Sequence, residues 1–169
     1  MADEHETREF SSPPCFAHKV DRAYMGLAAT GESVLALQTL LEGERAGARI
    51  TRESLQQARE LGQADELLAL ITDIQADETR YCSMLIGQIR RLGAEPSQEV
   101  GAFYNKCMAV EDLAQRFELL NRGQAWVVRK INELLPQLDD PVLIDALIEM
   151  RETHENNIEH AARAFEQEG

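Results

Sequence analysis

Apolar side chains recur every three or four residues over long stretches of the chain, the spacing that places them on one face of an α-helix. Four such stretches are predicted as helices: residues 30–62, 64–91, 97–135 and 142–165. The third is long enough that we expect a bend near residues 121–123. Glycine and proline concentrate between the stretches, and no strand-like alternation is present. Four helices with short connections are typical of an antiparallel four-helix bundle, an all-α fold.

Two helices carry a glutamate on or beside the apolar stripe. Glu78 falls at the centre of the second stripe, and Glu44 lies at the edge of the first. A buried carboxylate is costly unless it is paired, hydrogen-bonded, protonated or bound to a metal. The glycines and alanines around Glu44 are small enough to let a neighbouring helix approach closely. We therefore expect Glu44 and Glu78 to face each other.

The other two helices also place polar groups on their inner faces. The fourth carries His154 and Asn157, and the third carries Asn121 and Gln124. Tyr81 follows one turn after Glu78. All these side chains are predicted to form one polar layer in the middle of the bundle.

This layer has two interpretations. In the first, Glu44, Glu78 and His154 hold one iron or manganese ion, since carboxylate and imidazole ligands suit these metals. The surrounding polar shell would then consist of Tyr81, Arg45, Asn121, Gln124 and Asn157. The first interpretation makes the chain a metal-dependent redox protein. In the second, the chain is a non-catalytic binding or stress protein without a metal, and Arg45, Gln124 and His154 pair with Glu44 and Glu78. Glu111 and Glu118, on the flank of the third stripe, are further candidate ligands or simply solvated.

The order of Glu44, Glu78, Glu118 and His154 along four helices resembles that of the bacterioferritin and rubrerythrin type of di-iron protein. In that family, two helices each give a glutamate and the other two each give a Glu-x-x-His motif. Here the motif positions read Glu78-x-x-Tyr81 and Arg151-x-x-His154. The resemblance implies a ferritin-like fold, with a reduced centre for one metal or a rebuilt one.

Several phrases also resemble an uncharacterised bacterial ferritin-like family of unknown function. They are YMG, LLEGERAGAR, GAFYNK, LNRGQAWVVRK and HENNI. This resemblance implies the fold but names neither a reaction nor a small-molecule ligand.

The composition limits the classes of partner and the cellular compartment that we expect. The 169 residues suffice for one domain, predicted as residues 15–169 after a flexible acidic tail of residues 1–14. A net charge of −13 argues against nucleic acid, and no apolar run is long enough for a membrane span. Three cysteines without a paired spacing suggest reduced thiols, so we expect a cytoplasmic protein. Residues 15–27 are predicted as a short helix or arm, with His18 on its surface.

Two side chains on the third helix suggest self-association. Met108 and Trp126 are predicted to point away from the inner stripe, and large outward apolar side chains often mark partner surfaces. We therefore expect a homodimer that buries Trp126. A third functional hypothesis, thiol redox chemistry at Cys82 or Cys107, is less favoured, because thiols beside apolar stripes are usually inert.

Overall fold

The computed structural model describes residues 31–166, in which the regular secondary structure is all helical and no strand occurs. Its helices are α1 (Gly31–Glu60), α2 (Asp65–Arg91), α3 (Phe103–Met108), α4 (Leu113–Leu134) and α5 (Pro141–Glu166). A single 3₁₀ turn, Leu135–Gln137, follows α4. The all-α prediction is confirmed. The predicted tail and arm, with His18 and Cys15, lie outside the described residues.

Glycine ends the first two long helices. Gly62 and Gly93 have φ angles of 70° and 81°, the left-handed region that other residues adopt at a cost. Both positions close the helix and turn the chain, as predicted from the sequence.

Each long helix packs against two others in antiparallel fashion. Ser54 of α1 contacts Arg116 near the start of α4, whereas Gly43 lies beside Trp126 further along α4. In the same way, Asp77 of α2 contacts Asn157 in the second half of α5. Arg91, at the end of α2, contacts Asp140 directly before α5. The four long helices thus surround one interior in the order α1, α2, α5, α4.

The interior contains two apolar clusters. The first cluster includes Leu41, Leu85, Ile131 and Leu147. The second includes Ile50, Ile71, Phe117 and Ala161. Burial of these side chains is the main stabilising contribution to such a fold. The polar residues described below occupy the level between the two clusters.

The prediction of one continuous helix from residue 97 is wrong. Residues 94–101 are non-helical and lie along α1, where the side chain of Gln38 donates to the Glu95 carbonyl over 2.7 Å. The Ser97 hydroxyl donates to Glu42 Oε1 over 2.6 Å, and the Gly101 amide donates to the Glu42 carbonyl over 3.0 Å. These contacts with α1 replace the hydrogen bonds that a helix would supply, which the apolar period of the sequence cannot reveal.

A second interruption separates α3 from α4. Asp112 caps α4, its carboxylate accepting from the Gln115 amide over 2.9 Å. The buried Arg116 guanidinium donates to the Val110 carbonyl over 2.9 Å and to Gln57 of α1 over 2.7 Å. It therefore ties the interruption to α1. α4 runs as an unbroken helix through residues 121–123, where the sequence predicts a bend.

Within residues 31–166, no helix combines the length and the apolar character needed to cross a bilayer.

Replacing Asp112 with Ala should lower the free energy of unfolding by about 1 kcal/mol, because the Gln115 amide loses its cap. Asp112→Asn should retain most of this stability, since an amide oxygen also caps. Urea unfolding of the three proteins measures the difference. Equal stability of Asp112→Ala and the wild type would show that the cap contributes nothing.

Candidate metal centre

Four buried polar side chains meet at one level of the interior, one from each long helix. Glu44 and His154 are 0% and 1% exposed, and Glu78 and Gln124 are 3% and 2% exposed. Each follows the last residue of one apolar cluster and precedes the first residue of the other on its helix. The sequence-predicted polar layer therefore exists for these four residues.

Hydrogen bonds join the layer into two diagonal pairs. His154 Nε2 lies 3.1 Å from Glu44 Oε1, which links α5 to α1. Gln124 Nε2 donates to Glu78 Oε1 over 3.0 Å, which links α4 to α2. His154 Nδ1 lies 2.9 Å from the Met150 carbonyl, an acceptor that requires a proton on Nδ1.

Two oxygens of the layer lack a hydrogen-bond partner. Glu44 Oε2 and Gln124 Oε1 are both buried and unpaired. Buried polar atoms are rarely left so, and each such atom calls for a ligand, a proton or a water. One ligand atom from each of Glu44, Glu78 and His154 lies within 4.8 Å of the others, a cluster that could hold a metal ion.

The electrostatics of the layer favour added positive charge. Burial, reinforced by the charge of Glu44, raises the pKa of Glu78 well above its usual range. Burial opposes the charge of the His154 imidazolium, but the adjacent Glu44 carboxylate outweighs it and raises the pKa of His154 to about 9. Without another cation, the layer therefore holds protons on His154 and favours one on Glu78.

The orientation of His154 leaves its second nitrogen available. With Nδ1 donating to Met150, Nε2 faces Glu44 either as a second N–H donor or as a lone pair directed at a cation. A backbone carbonyl bound to the far nitrogen is the usual arrangement for a histidine that ligates a metal. Two carboxylates and one imidazole are a donor set that fits iron, manganese or zinc.

Gly47 makes room for Glu78. A Cβ atom at position 47 would lie 2.2 Å from Glu78 Oε2 and 2.5 Å from Glu78 Cδ, closer than real side chains approach. Because α1 presents a bare backbone here, the carboxylate of α2 can enter the layer.

Other residues assigned to the polar shell lie elsewhere. Arg45 donates to the backbone carbonyls of Ser97 and Glu99, so it does not neutralise Glu44 or Glu78 by contact. The Tyr81 hydroxyl lies 2.6 Å from the Thr153 hydroxyl and accepts a hydrogen bond from Arg80 over 2.7 Å. Its ring is nevertheless adjacent to His154, with centroids 5.7 Å apart.

The two asparagines also have partners outside the layer. Asn121 donates to the Ile158 carbonyl over 3.3 Å, and Asn157 donates to Asp77 over 3.1 Å. Asn121 therefore links α4 to α5, and Asn157 links α5 to α2, both outside the layer. Glu111 and Glu118 have exposed side chains, outside the cluster of candidate ligands.

The two described cysteines are protonated thiols. Burial raises the pKa of Cys82 to about 12 and that of Cys107 to about 11, and no disulfide involves either. A thiol reacts as its thiolate, so these values weigh against thiol chemistry at neutral pH.

Trp126 and Met108, which are predicted to point away from the inner stripe, are each half-buried. Trp126 packs against the first cluster, and Met108 packs against the second. The homodimer stays a prediction.

A cavity of about 390 Å³ reaches the layer from the side of α1 and α4. Its lining includes all four layer residues together with Trp126 and Phe103. Sequence reasoning missed the role of residues 101–103, because they were assigned to a helix. Within residues 31–166, this half-open cavity borders the buried carboxylates.

Comparison with known families identifies the chain. The family described as "Domain of unknown function (DUF6306)" matches residues 31–163. The chain belongs to this family. No curated protein and no solved structure matches the chain. Family membership therefore leaves the activity open.

Replacing Gly47 with Ala should destabilise the protein, although alanine favours a helix by up to about 1 kcal/mol over glycine. The new methyl group would displace Glu78 from Gln124. Gly87→Ala is the matched control, because a Cβ at this exposed α2 position meets no atom within 4 Å. We expect Gly87→Ala to raise the melting temperature and Gly47→Ala to lower it. A rise in both would contradict the close approach of Glu78 to α1.

Proposed function

We propose that this protein is a ferritin-like four-helix bundle that binds one iron or manganese ion at Glu44, Glu78 and His154 for redox or oxygen chemistry. The observation that carries the proposal is the cluster of three ligand atoms within 4.8 Å, beside the buried and unpaired Glu44 Oε2. A divalent cation at this point would satisfy both carboxylates and the lone pair of His154.

The arrangement of the helices supports the ferritin-like assignment. Four long antiparallel helices each send one polar side chain to a common level, as in di-iron bundles. The described chain supplies two glutamates and one histidine there, fewer ligands than a di-iron centre requires. These residues therefore support one metal ion rather than two.

Each residue of the layer has a distinct part in the proposed centre. Glu44 and Glu78 supply negative charge, and His154 supplies a neutral nitrogen whose orientation is fixed by the Met150 carbonyl. Gln124 holds Glu78 through its amide N–H and leaves its own oxygen free toward the interior. A bound iron or manganese ion would supply one-electron chemistry and a site for oxygen or a substrate, reached through the cavity.

A metal-free binding or stress protein is the alternative, in which the same layer is a structural polar network. It is favoured by the direct contacts between Glu44 and His154 and between Glu78 and Gln124. In this alternative, protons on His154 and Glu78 provide the positive charge that the metal would otherwise bring.

Metal binding to wild type and Glu78→Gln distinguishes the two functions. Untagged protein dialysed against Fe²⁺ or Mn²⁺ should retain close to one ion per chain. Glu78→Gln should bind more than about tenfold more weakly, because it removes an anionic ligand. Excess metal at 100 times its dissociation constant should stabilise wild type by about 2.7 kcal/mol and the variant far less.

Glu118→Gln is the control for loss of one acidic residue, since Glu118 is exposed on α4. It should bind metal like the wild type. If wild type retains no iron, manganese or zinc, and Glu78→Gln destabilises the metal-free protein by more than about 2 kcal/mol, the layer is a structural network.

The stability of the metal-free protein should fall as the pH rises from about 6.5 to 9. His154 has a folded pKa of about 9, above its ordinary value of 6.5, so its stabilising contribution is complete below pH 6.5 and lost through pH 9. The raised pKa of Glu78 acts in the same direction. Thermal unfolding with a chelator present measures this slope.

His154→Gln should flatten the same profile over this range, because the titrating group is removed. With excess Mn²⁺, the stabilisation by metal should instead grow with pH, since the ion competes with protons for these ligands. A wild-type profile that is flat from pH 6.5 to 9 would show that His154 does not hold its proton through Glu44.

A further inference from the structure

The cavity beside the layer has an apolar wall and a polar floor. Trp126, Phe103 and Val127 form much of the wall, and Glu44, Gln124 and His154 belong to the floor. Its volume of about 390 Å³ is within the usual range for small-molecule sites.

The floor of the cavity has buried oxygens without a hydrogen-bond partner, as expected of a site that binds a polar group. Glu44 Oε2 and Gln124 Oε1 are buried, unpaired and contributed by residues that line the cavity. Each belongs to a side chain that is at most 2% exposed. When the proposed metal ion takes Glu44 Oε2, the hydroxyl group of a ligand at the floor would donate to Gln124 Oε1, the acceptor that still lacks a partner.

The width of the cavity depends on glycine. A Cβ at Gly43 would approach Trp126 Cζ3 to 3.6 Å, so any longer side chain there must extend into the cavity or displace the indole. Gly123 lets the Phe103 ring pack close to α4, because a Cβ at that position would lie 2.6 Å from the ring. The two aromatic rings therefore lie on a wall that the glycines leave unobstructed.

The charges around the cavity select against anions. Among the described residues that line it, none is lysine or arginine, whereas Glu42 joins Glu44 and Glu78. Arg45, the nearest cation in sequence, is held by the carbonyls of Ser97 and Glu99. With the floor neutralised by a metal ion, a cationic ligand would gain little there and would lose its hydration on entering the apolar wall.

We propose that this cavity is the substrate pocket of the centre and takes a small, uncharged, largely apolar alcohol, with its hydroxyl at the floor and its body against Trp126 and Phe103. The substrate role and the exclusion of cations rest on the proposed metal centre, whereas the exclusion of anions follows from the cavity itself.

Three probes of nearly equal size test the preference: benzyl alcohol, benzoate and benzylamine. Trp126 is the only tryptophan in the chain, so the fluorescence reports any ligand that binds beside this side chain. Because Trp126 also lines a second cavity, with Leu35 and Lys130, the variant at Gly43 assigns the signal to the proposed pocket. Benzyl alcohol should change this fluorescence saturably, with a dissociation constant of about 1 mM or tighter. With Mn²⁺ present, benzoate and benzylamine should bind at least about tenfold more weakly, because burying either charge is costly.

Gly43→Leu should fill the pocket and weaken benzyl alcohol at least about tenfold in calorimetric titration. Gly87→Leu is the matched control on an exposed helical position and should bind like the wild type. Equal binding by the two variants, a charged probe that matches benzyl alcohol, or the absence of saturable binding would each overturn the proposal. If Gly43→Leu does not fold, the wild-type probe series decides.

The titrations are run with Mn²⁺ and with a chelator, so that the two proposals fail separately. Binding of benzyl alcohol without any metal binding would retain the pocket and remove its role in a metal centre. Metal binding without benzyl alcohol binding would retain the centre and reject this class of substrate.

Discussion

Two carboxylates at one level of a water-poor interior are the constraint on which the rest of this structure depends. Glu44 and Glu78 are both buried, and neither contacts a lysine or an arginine within the described residues. Such a pair requires a cation, either protons or a metal ion. The surroundings are consistent with that need, since His154 is oriented by Met150 with its second nitrogen toward Glu44, and Gln124 donates to Glu78. The same geometry serves the proton and the metal, which is why the structure accommodates both functions considered above.

The apolar clusters on either side explain how the layer is held in place. Leu41 and Leu85 pack on one side of it, and Ile50 and Ile71 pack on the other. A slip of one helix turn along α1 or α2 would exchange a carboxylate for an apolar side chain in the layer and bury charge within a cluster, at a cost far above that of the hydrogen bonds lost. The hydrophobic contacts therefore fix the height of each carboxylate, while Gly47 fixes how deeply Glu78 enters.

The sequence was sufficient for the parts of the site that follow the helical period. Glu78, Gln124 and His154 lie on apolar stripes, so their burial was predictable from position alone. Arg45 was not, because a long side chain at the edge of a stripe can point either way, and its partners are backbone carbonyls of a non-helical segment. The packing of Trp126 was not predictable for a related reason, since it lies beside Gly43 and lines a cavity that only the packed helices create. The helical period of the apolar residues predicts which face of a helix is buried, but contacts with irregular segments depend on the assembled fold.

Those irregular segments are what give the layer an opening. Had residues 97–112 continued α4 as a helix, the segment would have no reason to lie on α1 at Glu42 or to place Phe103 at the cavity wall. Instead, a Cβ at Gly101 would come within 3.1 Å of the Glu42 carbonyl, so only a residue without a side chain fits easily against α1 there. Three separate stretches of the sequence thus meet around one cavity: LLEGERAGAR, GAFYNK and LNRGQAWVVRK. A fourth stretch, HENNI, adds His154 to the floor of this cavity. Because a purely structural ion-pair layer would need no such access, the convergence of these phrases on an opening favours a site that exchanges something with its surroundings over a network that only holds the helices together.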